Sequence, residues 1–411
     1  MLIEKTRLRT DTLSGKAVLV TGAGGGIGFE TARALAWLGV DVIIAEIDEE
    51  KGAYARDAIN KELCSSKACF YAVDLSDEAQ IDGLCDFIDS RYGHLDVLIN
   101  NATVATMGAV DAVPVTDWDY SYAVNLRAPV LLTQKFLPGM KARNSGVIVF
   151  VQSSGAAPYM GAYEVFKTAQ AELCSTLAGE LEGTGVCAYA IAPGLVRTET
   201  AQRAIETVSP LMGMTTDEFY KMNENHMMGA EEAGVGFAVS VVNAGRYSGL
   251  EIGCVQALMD AGVLDAGVLD AGVFKNEKLA QAGSPGISPD GADGIEGCIE
   301  KVVRAFNEQY DGWHERSVFE RQWVLRDFKK TVGMAADGYQ NLLASLLELA
   351  KEKSYEKIAG HKAELEKLVE FYDHQYKLLQ GYEKDPVMLE GNSRIIRGWI
   401  GDVQAVLDYF G

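Results

Sequence analysis

The sequence has few positive charges and no long apolar segment. Of its 411 residues, 37 are lysine or arginine and 58 are aspartate or glutamate, which gives a formal net charge of -21 at pH 7. Nucleic acids and anionic membrane surfaces are polyanions, so this charge argues against both as partners. The sequence has no stretch of about 18 consecutive apolar residues, and the segment before Arg9 has no apolar core of signal length. We therefore expect neither a membrane span nor a leader.

Cysteine and histidine are also sparse. The seven cysteines are scattered and never spaced as Cys-x-x-Cys, so we expect reduced thiols and a cytoplasmic protein. His314, His361 and His374 lack the spacing of zinc ligands, and no metal is expected. The hydrophobic share of 48% and the charged share of 23% are those of a globular protein.

Short apolar runs alternate with longer segments of helical period from Lys16 to about Leu258. Each run has strand length and is almost wholly apolar, which is typical of a parallel strand covered on both faces. The alternation predicts an α/β fold with a doubly wound parallel sheet. The predicted strands are residues 17–20, 42–45, 69–73, 97–99, 147–151, 186–191 and 254–258.

The composition changes twice along the chain. Residues 1–263 carry the alternating pattern, and residues 264–294 hold repeated Asp-Ala-Gly-Val-Leu pentamers and a stretch rich in Gly, Pro and Ser, typical of a linker. Residues 295–411 predict an all-α extension. The extension is either a small helical bundle or a helical arm packed on the first domain. Its apolar stripe through Ile358 and Leu365 must be covered, by a second copy of the chain or by closure over a substrate lid. Assembly is favoured, because long amphipathic helices pair readily.

A glycine-rich segment, Thr21-Gly22-Ala23-Gly24-Gly25-Gly26-Ile27-Gly28, follows the first predicted strand and opens a helix. Glycines here permit a tight turn and let the backbone approach a pyrophosphate at a helix N-terminus. Glu46 ends the second strand, where a carboxylate can accept hydrogen bonds from the adenosine ribose and would repel a phosphate there. The turn has no Arg or Lys, so NAD is favoured over NADP. The alternative interpretation of Glu46 is a solvated charge at a strand end.

Tyr163 and Lys167 are four residues apart in a predicted helix, so their side chains share one face. An ammonium beside a phenol favours the phenolate, which allows Tyr163 to transfer a proton near neutral pH. Proton transfer of this kind is what alcohol oxidation or carbonyl reduction requires when a cofactor carries the hydride.

In their order along the chain, these motifs resemble the short-chain dehydrogenase/reductase family over roughly residues 12–262. The resemblance implies a Rossmann fold, a nicotinamide cofactor and a homo-oligomer. It also implies catalytic roles for Tyr163, Lys167, a serine that polarises the substrate carbonyl, and Asn125, which positions a water for the proton relay. We prefer Ser154 as the serine, with Ser153 as the alternative. A buried residue that kinks a helix is the other interpretation of Asn125.

The resemblance also assigns residues to the cofactor. They are Gly22, Gly24, Gly26, Ile27, Gly28, Glu46, Asp74, Leu75, Asn101, Ala102, Tyr163, Lys167, Pro193, Gly194, Val196 and Thr198. Two features depart from the family pattern: Thr103 stands where the family usually has glycine, and the loop between Ser154 and Tyr163 is shorter than usual.

The sequence thus predicts an NAD-dependent oxidoreductase that interconverts a secondary alcohol and a ketone. Two alternatives remain: an epimerase or dehydratase of the same fold, in which the hydride returns to the substrate, and a non-catalytic NAD-binding scaffold. Between Glu199 and Met228 lies a methionine-rich segment, which indicates either an adaptable apolar substrate site or ordinary core packing.

Overall fold

The computed structural model describes residues 1–153, 158–224, 227–264, 295–314, 318–382 and 386–410. Contacts divide the chain into two compact units, Met1–Ala271 and Gly272–Gly411, and each is described by itself. The predicted linker, 264–294, lies outside the described residues apart from Leu264, and its boundaries stay a prediction. Among the described helices, none is both long and apolar enough to cross a membrane.

The first unit is built on a parallel sheet. Its strands are β1 (Ala17–Thr21), β2 (Asp41–Glu46), β3 (Ala68–Ala72), β4 (Val97–Asn100), β5 (Gly146–Val151), β6 (Val186–Ala192) and β9 (Glu251–Gly253), and the short strands β7 (Leu195–Val196) and β8 (Met227–Met228) pair separately. The sheet order is β3-β2-β1-β4-β5-β6-β9, so the direction of winding reverses between β1 and β4. In such sheets, ligands bind beyond the carboxyl ends of the strands at that reversal.

Helices connect the strands of the first unit. They are α1 (Gly26–Trp37), α2 (Glu49–Glu62), α3 (Glu78–Tyr92), α4 (Val115–Tyr122), α5 (Ala128–Arg143), α6 (Gly161–Glu180), α7 (Glu199–Leu211), α8 (Thr216–Met222), α9 (Ala230–Val242), α10 (Ala244–Tyr247) and α11 (Cys254–Asp260). A π-helical turn, Ala123–Arg127, joins α4 to α5, and a short 3-10 helix, Leu2–Lys5, precedes β1. The predicted α/β fold with a doubly wound parallel sheet, a Rossmann fold, is confirmed.

Both faces of the sheet are buried, because helices pack against each of them. Successive side chains of each strand point to opposite faces. Val18 and Val20 of β1 belong to one apolar cluster with residues of α1 and α9. Ala17 and Leu19 belong to a second cluster with residues of α3, α5 and α6. Burial on both faces is the reason that the strand sequences show no polar alternation.

Side chains and glycines fix where the helices begin and end. Asp48 accepts a hydrogen bond from the Lys51 N–H at the start of α2, and Asp77 caps α3 in the same way. Gly93 ends α3 with φ 75°, a left-handed conformation that favours glycine. Among the described side chains none caps the N-terminus of α1. Its first backbone N–H groups can therefore bind a ligand.

The strand predicted at residues 254–258 is wrong. These residues form α11, and the edge strand β9 consists of the three residues before them. Cys254, Ala257 and Leu258 are buried, and their spacing is that of one helix face. A short apolar run does not distinguish a buried helix from a buried strand, and here Ala257, Leu258 and Met259 are good helix formers.

All the regular secondary structure in the described residues of the second unit is helical, which confirms the predicted all-α extension. Its helices are α12 (Ile295–His314), α13 (Val318–Val332), α14 (Ala336–Lys351), α15 (Tyr355–Ala359), α16 (Lys362–Tyr382) and α17 (Pro386–Asp408). They enclose an apolar cluster of their own, in which the Phe328 and Phe371 rings lie 5.0 Å apart between centroids.

The apolar stripe of the extension is covered inside its own unit. Ile358, Leu365, Tyr372 and Leu379 are at most 9% exposed and belong to the cluster that α12, α13 and α17 complete. The stripe therefore gives no argument for pairing with a second copy or for closing over a lid. Assembly into a homo-oligomer stays a prediction.

Candidate active site

The glycine turn lies at the carboxyl end of β1, beside the end of β4. Gly22 has φ 65°, and a Cβ there would lie 2.7 Å from the Cα of Ala102. A Cβ on Gly28 would lie 2.3 Å from the carbonyl oxygen of Gly22 and 2.6 Å from Nδ2 of Asn101. Both contacts are closer than real Cβ atoms approach, so only glycine allows this turn to pack against the β4 loop.

Glu46, at the end of β2, lies against the same turn. One of its oxygens, Oε2, accepts a hydrogen bond from the Gly24 N–H at 3.0 Å, and Oε1 accepts from the Ile47 N–H at 2.8 Å. A Cβ on Gly24 would lie 2.7 Å from Cγ of Glu46. The carboxylate is thus held at the edge of the turn, the position that the sequence predicts for a group that contacts the adenosine ribose.

Asn101 and Ala102 join the ends of β4 and β1. Their backbone N–H groups each donate to the Thr21 hydroxyl at 3.0 Å, and Asn101 Nδ2 donates to the carbonyl oxygens of Thr21 and Gly22. The Asn101 side chain therefore holds the glycine turn in place. This is a structural role, and contact of Asn101 with a cofactor stays a prediction.

The other cofactor residues predicted from the resemblance lie at the same edge. Asp74 follows β3 and accepts from the Ser76 N–H at 2.8 Å, and the adjacent Leu75 is 8% exposed. After β6 come Pro193 and Gly194, then Val196 in β7 and Thr198. Thr198 accepts from the Ala201 N–H at 3.1 Å and so begins α7, and its methyl would lie 3.2 Å from a Cβ on Gly26. The segment at Thr198 therefore lies against the glycine turn, close to the start of α1, where Ile27 is the second residue of the helix.

Helix α6 carries Tyr163 and Lys167. The helix begins at Gly161, whose φ of 51° and 2.8 Å Cβ distance from the Thr106 carbonyl oxygen exclude a side chain. The Tyr163 N–H donates to the same carbonyl at 3.1 Å. Lys167 is 1% exposed, and its Nζ donates to the carbonyl oxygen of Val151 at 2.9 Å. The lysine therefore fixes α6 to the end of β5.

Burial controls the protonation of both residues. Desolvation lowers the pKa of Lys167 to about 7, and the nearby Glu164 carboxylate offsets part of this effect. Desolvation and the Glu164 charge raise the pKa of Tyr163 to about 12, against a smaller opposite effect of a hydrogen bond with Ser153. Lys167 is not among the causes of the Tyr163 pKa shift in the protein alone, and its effect on Tyr163 beside a bound cofactor stays a prediction. The spacing of Tyr163 and Lys167 predicts that they lie close together, but it does not show how strongly burial disfavours the charged form of each.

Of the two serines after β5, Ser153 is the one that the structure describes. Its side chain is near enough to Tyr163 to lower the pKa of the phenol, against the larger effect of burial. Ser154, the preferred residue in the sequence analysis, lies outside the described residues.

Asn125 is fully buried in the π-helical turn, in which the Ala128 N–H donates to the Ala123 carbonyl. Its Oδ1 accepts from the Thr103 hydroxyl at 3.0 Å and from the Val104 N–H at 2.9 Å. Thr103, which departs from the family pattern, is thus accommodated by a hydrogen bond to Asn125. π-turns are rare and often mark functional positions.

Two polar residues of α6 were not singled out from the sequence. Gln170 is fully buried and donates from Nε2 to the backbone carbonyl of Asn125. Glu164 is 3% exposed and affects the protonation of Tyr163 and Lys167. A signal was present, because both residues lie on the buried face of the helix that carries Lys167. Polar residues on a buried face of a helix need a reason.

The sequence is similar to those of known proteins. The model of the short chain dehydrogenase family matches residues 16–209. D-beta-hydroxybutyrate dehydrogenase of Cupriavidus necator is 32% identical over 213 residues, which cover 50% of this chain and 80% of that protein. The chain belongs to the short chain dehydrogenase family. A short chain dehydrogenase of Pseudocercospora fijiensis is 35% identical over 204 residues, 48% of this chain and 65% of that relative.

Solved structures agree on the fold. Levodione reductase aligns with a TM-score of 0.55 and 24% identity, covering 59% of this chain and 98% of that one. The family match ends before the second unit begins, so that unit lies outside the part of the chain that matches the family.

The buried Lys167 predicts how stability depends on pH. Its folded pKa of about 7 lies below the ordinary value of 10.5, so between these pH values the unfolded chain binds more protons and stability rises with pH. The rise is at most about 1.4 kcal/mol per pH unit. Urea unfolding of the first unit at pH 6.5 to 9.5 should show this rise, and Lys167→Met should lack it.

Lys141→Met is the matched control, because Lys141 is exposed on α5 and its loss should leave the slope unchanged. The raised pKa of Tyr163 opposes the trend only above about pH 10, its unfolded value, outside the range measured. An equal slope in the wild type and Lys167→Met would show that Lys167 does not desolvate on folding.

Proposed function

We propose that the protein is an NAD-dependent oxidoreductase that interconverts a secondary alcohol and a ketone by hydride transfer. The observation that carries the proposal is the placement of two catalytic residues: the buried Lys167 donates to the Val151 carbonyl at the end of β5, and Tyr163 lies one helical turn earlier on the same helix. These residues lie at the carboxyl edge of the sheet, where the glycine turn also lies.

The residues at this edge fit a dinucleotide. A Cβ on Gly25 would meet no described atom within 4 Å, so the outer side of the turn is open, and the uncapped N-terminus of α1 attracts phosphate. Glu46 supports NAD, because its carboxylate would repel a phosphate on the adenosine ribose. Further contacts are proposed for Asp74, Leu75, Ala102, Val196 and Thr198.

In alcohol oxidation, Tyr163 in its tyrosinate form would accept the proton of the substrate hydroxyl while the hydride on the same carbon leaves to the cofactor, and Ser153 would donate a hydrogen bond to the same oxygen. Bound NAD supplies the hydride acceptor and a positive charge. Lys167, with a pKa of about 7, exchanges its own proton near neutral pH and favours the tyrosinate when charged. Asn125 holds the segment at Val104 and positions the π-turn carbonyl toward Gln170.

The decisive experiment is Tyr163→Phe, which removes the proton-transfer group and keeps the ring. We expect kcat to fall by about 100-fold or more with little change in NAD affinity, measured by NADH absorbance and by titration calorimetry. Tyr122→Phe is the control, since Tyr122 is exposed and its ring contacts Phe166 of the same helix. Wild-type turnover in Tyr163→Phe would remove this residue from the mechanism.

Net NADH release distinguishes the proposal from its alternatives. An epimerase or dehydratase converts substrate without accumulating NADH, and a scaffold protein binds NAD without turnover.

Ser153 and Ser154 are separated by alanine substitution. Because Ser153 lies near Tyr163, we expect Ser153→Ala to lower kcat by about 10- to 100-fold, the effect of losing one oxyanion donor. Ser154→Ala should lower kcat much less. The reverse order in the same assay would return the role to Ser154.

Glu46→Gln tests the cofactor preference. The amide oxygen can still accept from the Gly24 N–H, so the change removes the charge and keeps the turn. We expect the ratio of kcat/KM for NAD to that for NADP to fall about tenfold, as expected for one nearby charge at an effective dielectric constant near 20. Glu50→Gln, an exposed change in α2, should leave the ratio unchanged. An unchanged ratio in Glu46→Gln would contradict the assignment.

A further inference from the structure

A cleft of about 630 Å³ lies between the loop after β4 and the first turns of α4, with Leu211 of α7 on its other side. Its volume is in the range of sites for small molecules. Most of its lining side chains are apolar, including Val104, Met107, Ala112, Val113, Pro114 and Leu211, and polar groups such as Thr106, Asp117 and Tyr120 also line it.

Hydrogen bonds connect one wall of this cleft to the catalytic residues. The Thr106 carbonyl accepts from the Tyr163 N–H at 3.1 Å, and the Gly108 N–H donates to the Tyr159 carbonyl at 2.8 Å. Val104 is bonded through its N–H and its carbonyl to the side chain of Asn125. A molecule in the cleft therefore lies against the backbone strip that holds the first turn of α6.

The charges at the cleft are negative. Asp117 is the carboxylate of its lining, and the lining residues that the structure describes include no lysine or arginine. The buried cation Lys167 donates to the Val151 carbonyl. A ligand carboxylate in the cleft would be repelled by Asp117 and would meet no lysine or arginine among those lining residues.

We propose that the substrate is an uncharged, largely apolar secondary alcohol or ketone bound in this cleft, and that hydroxy and keto carboxylic acids are rejected by the Asp117 carboxylate. The inference rests on the proposed function, since it names the substrate class of the same reaction.

The experiment compares ketones that differ only in charge or in apolar length: levulinate, its methyl ester and its hexyl ester. Reduction is followed by NADH absorbance at neutral pH. We expect kcat/KM to be at least about tenfold higher for the methyl ester than for the acid, because one repulsive charge is removed. The hexyl ester should exceed the methyl ester, because its chain fills apolar volume.

Two substitutions test the cleft, each with a matched control. Asp117→Asn should bring the acid and the methyl ester several-fold closer together, and Asp119→Asn, outside the lining, should leave their ratio unchanged. Ala112→Trp should raise the KM of the hexyl ester about tenfold by filling apolar volume. Val110→Trp places the same ring on a residue that is 75% exposed and outside the lining, and should have no such effect.

Binding is measured apart from turnover, by titrating Tyr163→Phe and NADH with the acid and the methyl ester in a calorimeter. Turnover or binding of the acid equal to that of the methyl ester would overturn the inference. So would an effect of Val110→Trp equal to that of Ala112→Trp. If no ketone is reduced but the ester binds more tightly than the acid, the proposed function fails and the assignment of the cleft stands.

Discussion

The arrangement of the catalytic residues depends on one buried hydrogen bond, from the Lys167 ammonium to the carbonyl of Val151. Val151 ends β5, so this bond fixes the start of α6 to the sheet edge. It also brings Tyr163, one helical turn earlier, beside Ser153, two residues beyond the strand. A buried ammonium that lost this partner would be costly. The lysine thus has a structural role as well as a chemical one, and its low pKa of about 7 follows from the burial that the structural role requires.

Much of the fold could be predicted from the sequence because its signals are local. Strands buried on both faces must be apolar along their whole length, so continuous apolar runs between helical segments predict β1 to β6. The glycine turn could be predicted because Gly22 and Gly28 have no room for a Cβ, so the turn requires glycine at these positions. The family assignment followed from the order of such motifs along the chain.

What could not be predicted depends on the environment of each side chain. The run at 254–258 is apolar whether it forms a helix or a strand, and only the position of β9 decides between them. The pKa of Tyr163 is set by desolvation and by Glu164, neither of which is visible in a Tyr-x-x-x-Lys spacing. The apolar stripe of the extension is covered by helices from elsewhere in the second unit, and the helical pattern of one segment does not show which segment covers it. The helix at 254–258 and the cover of the stripe are decided by contacts distant in sequence, whereas the pKa of Tyr163 depends on burial and on its neighbour Glu164.

The π-helical turn at Ala123–Arg127 makes the site sensitive to changes in chain length. Such a turn holds one residue more than an α-helical turn, so deleting one residue there would change the register of α5 relative to α4. The deletion would rotate the residues beyond it by about 100° relative to α4. Asn125 donates from Nδ2 to the Ser121 hydroxyl on α4 at 3.0 Å and also contacts Thr103 and Gln170, so the rotation would break part of this set. The position of Asn125 therefore depends on the number of residues between α4 and α5 as well as on their identity.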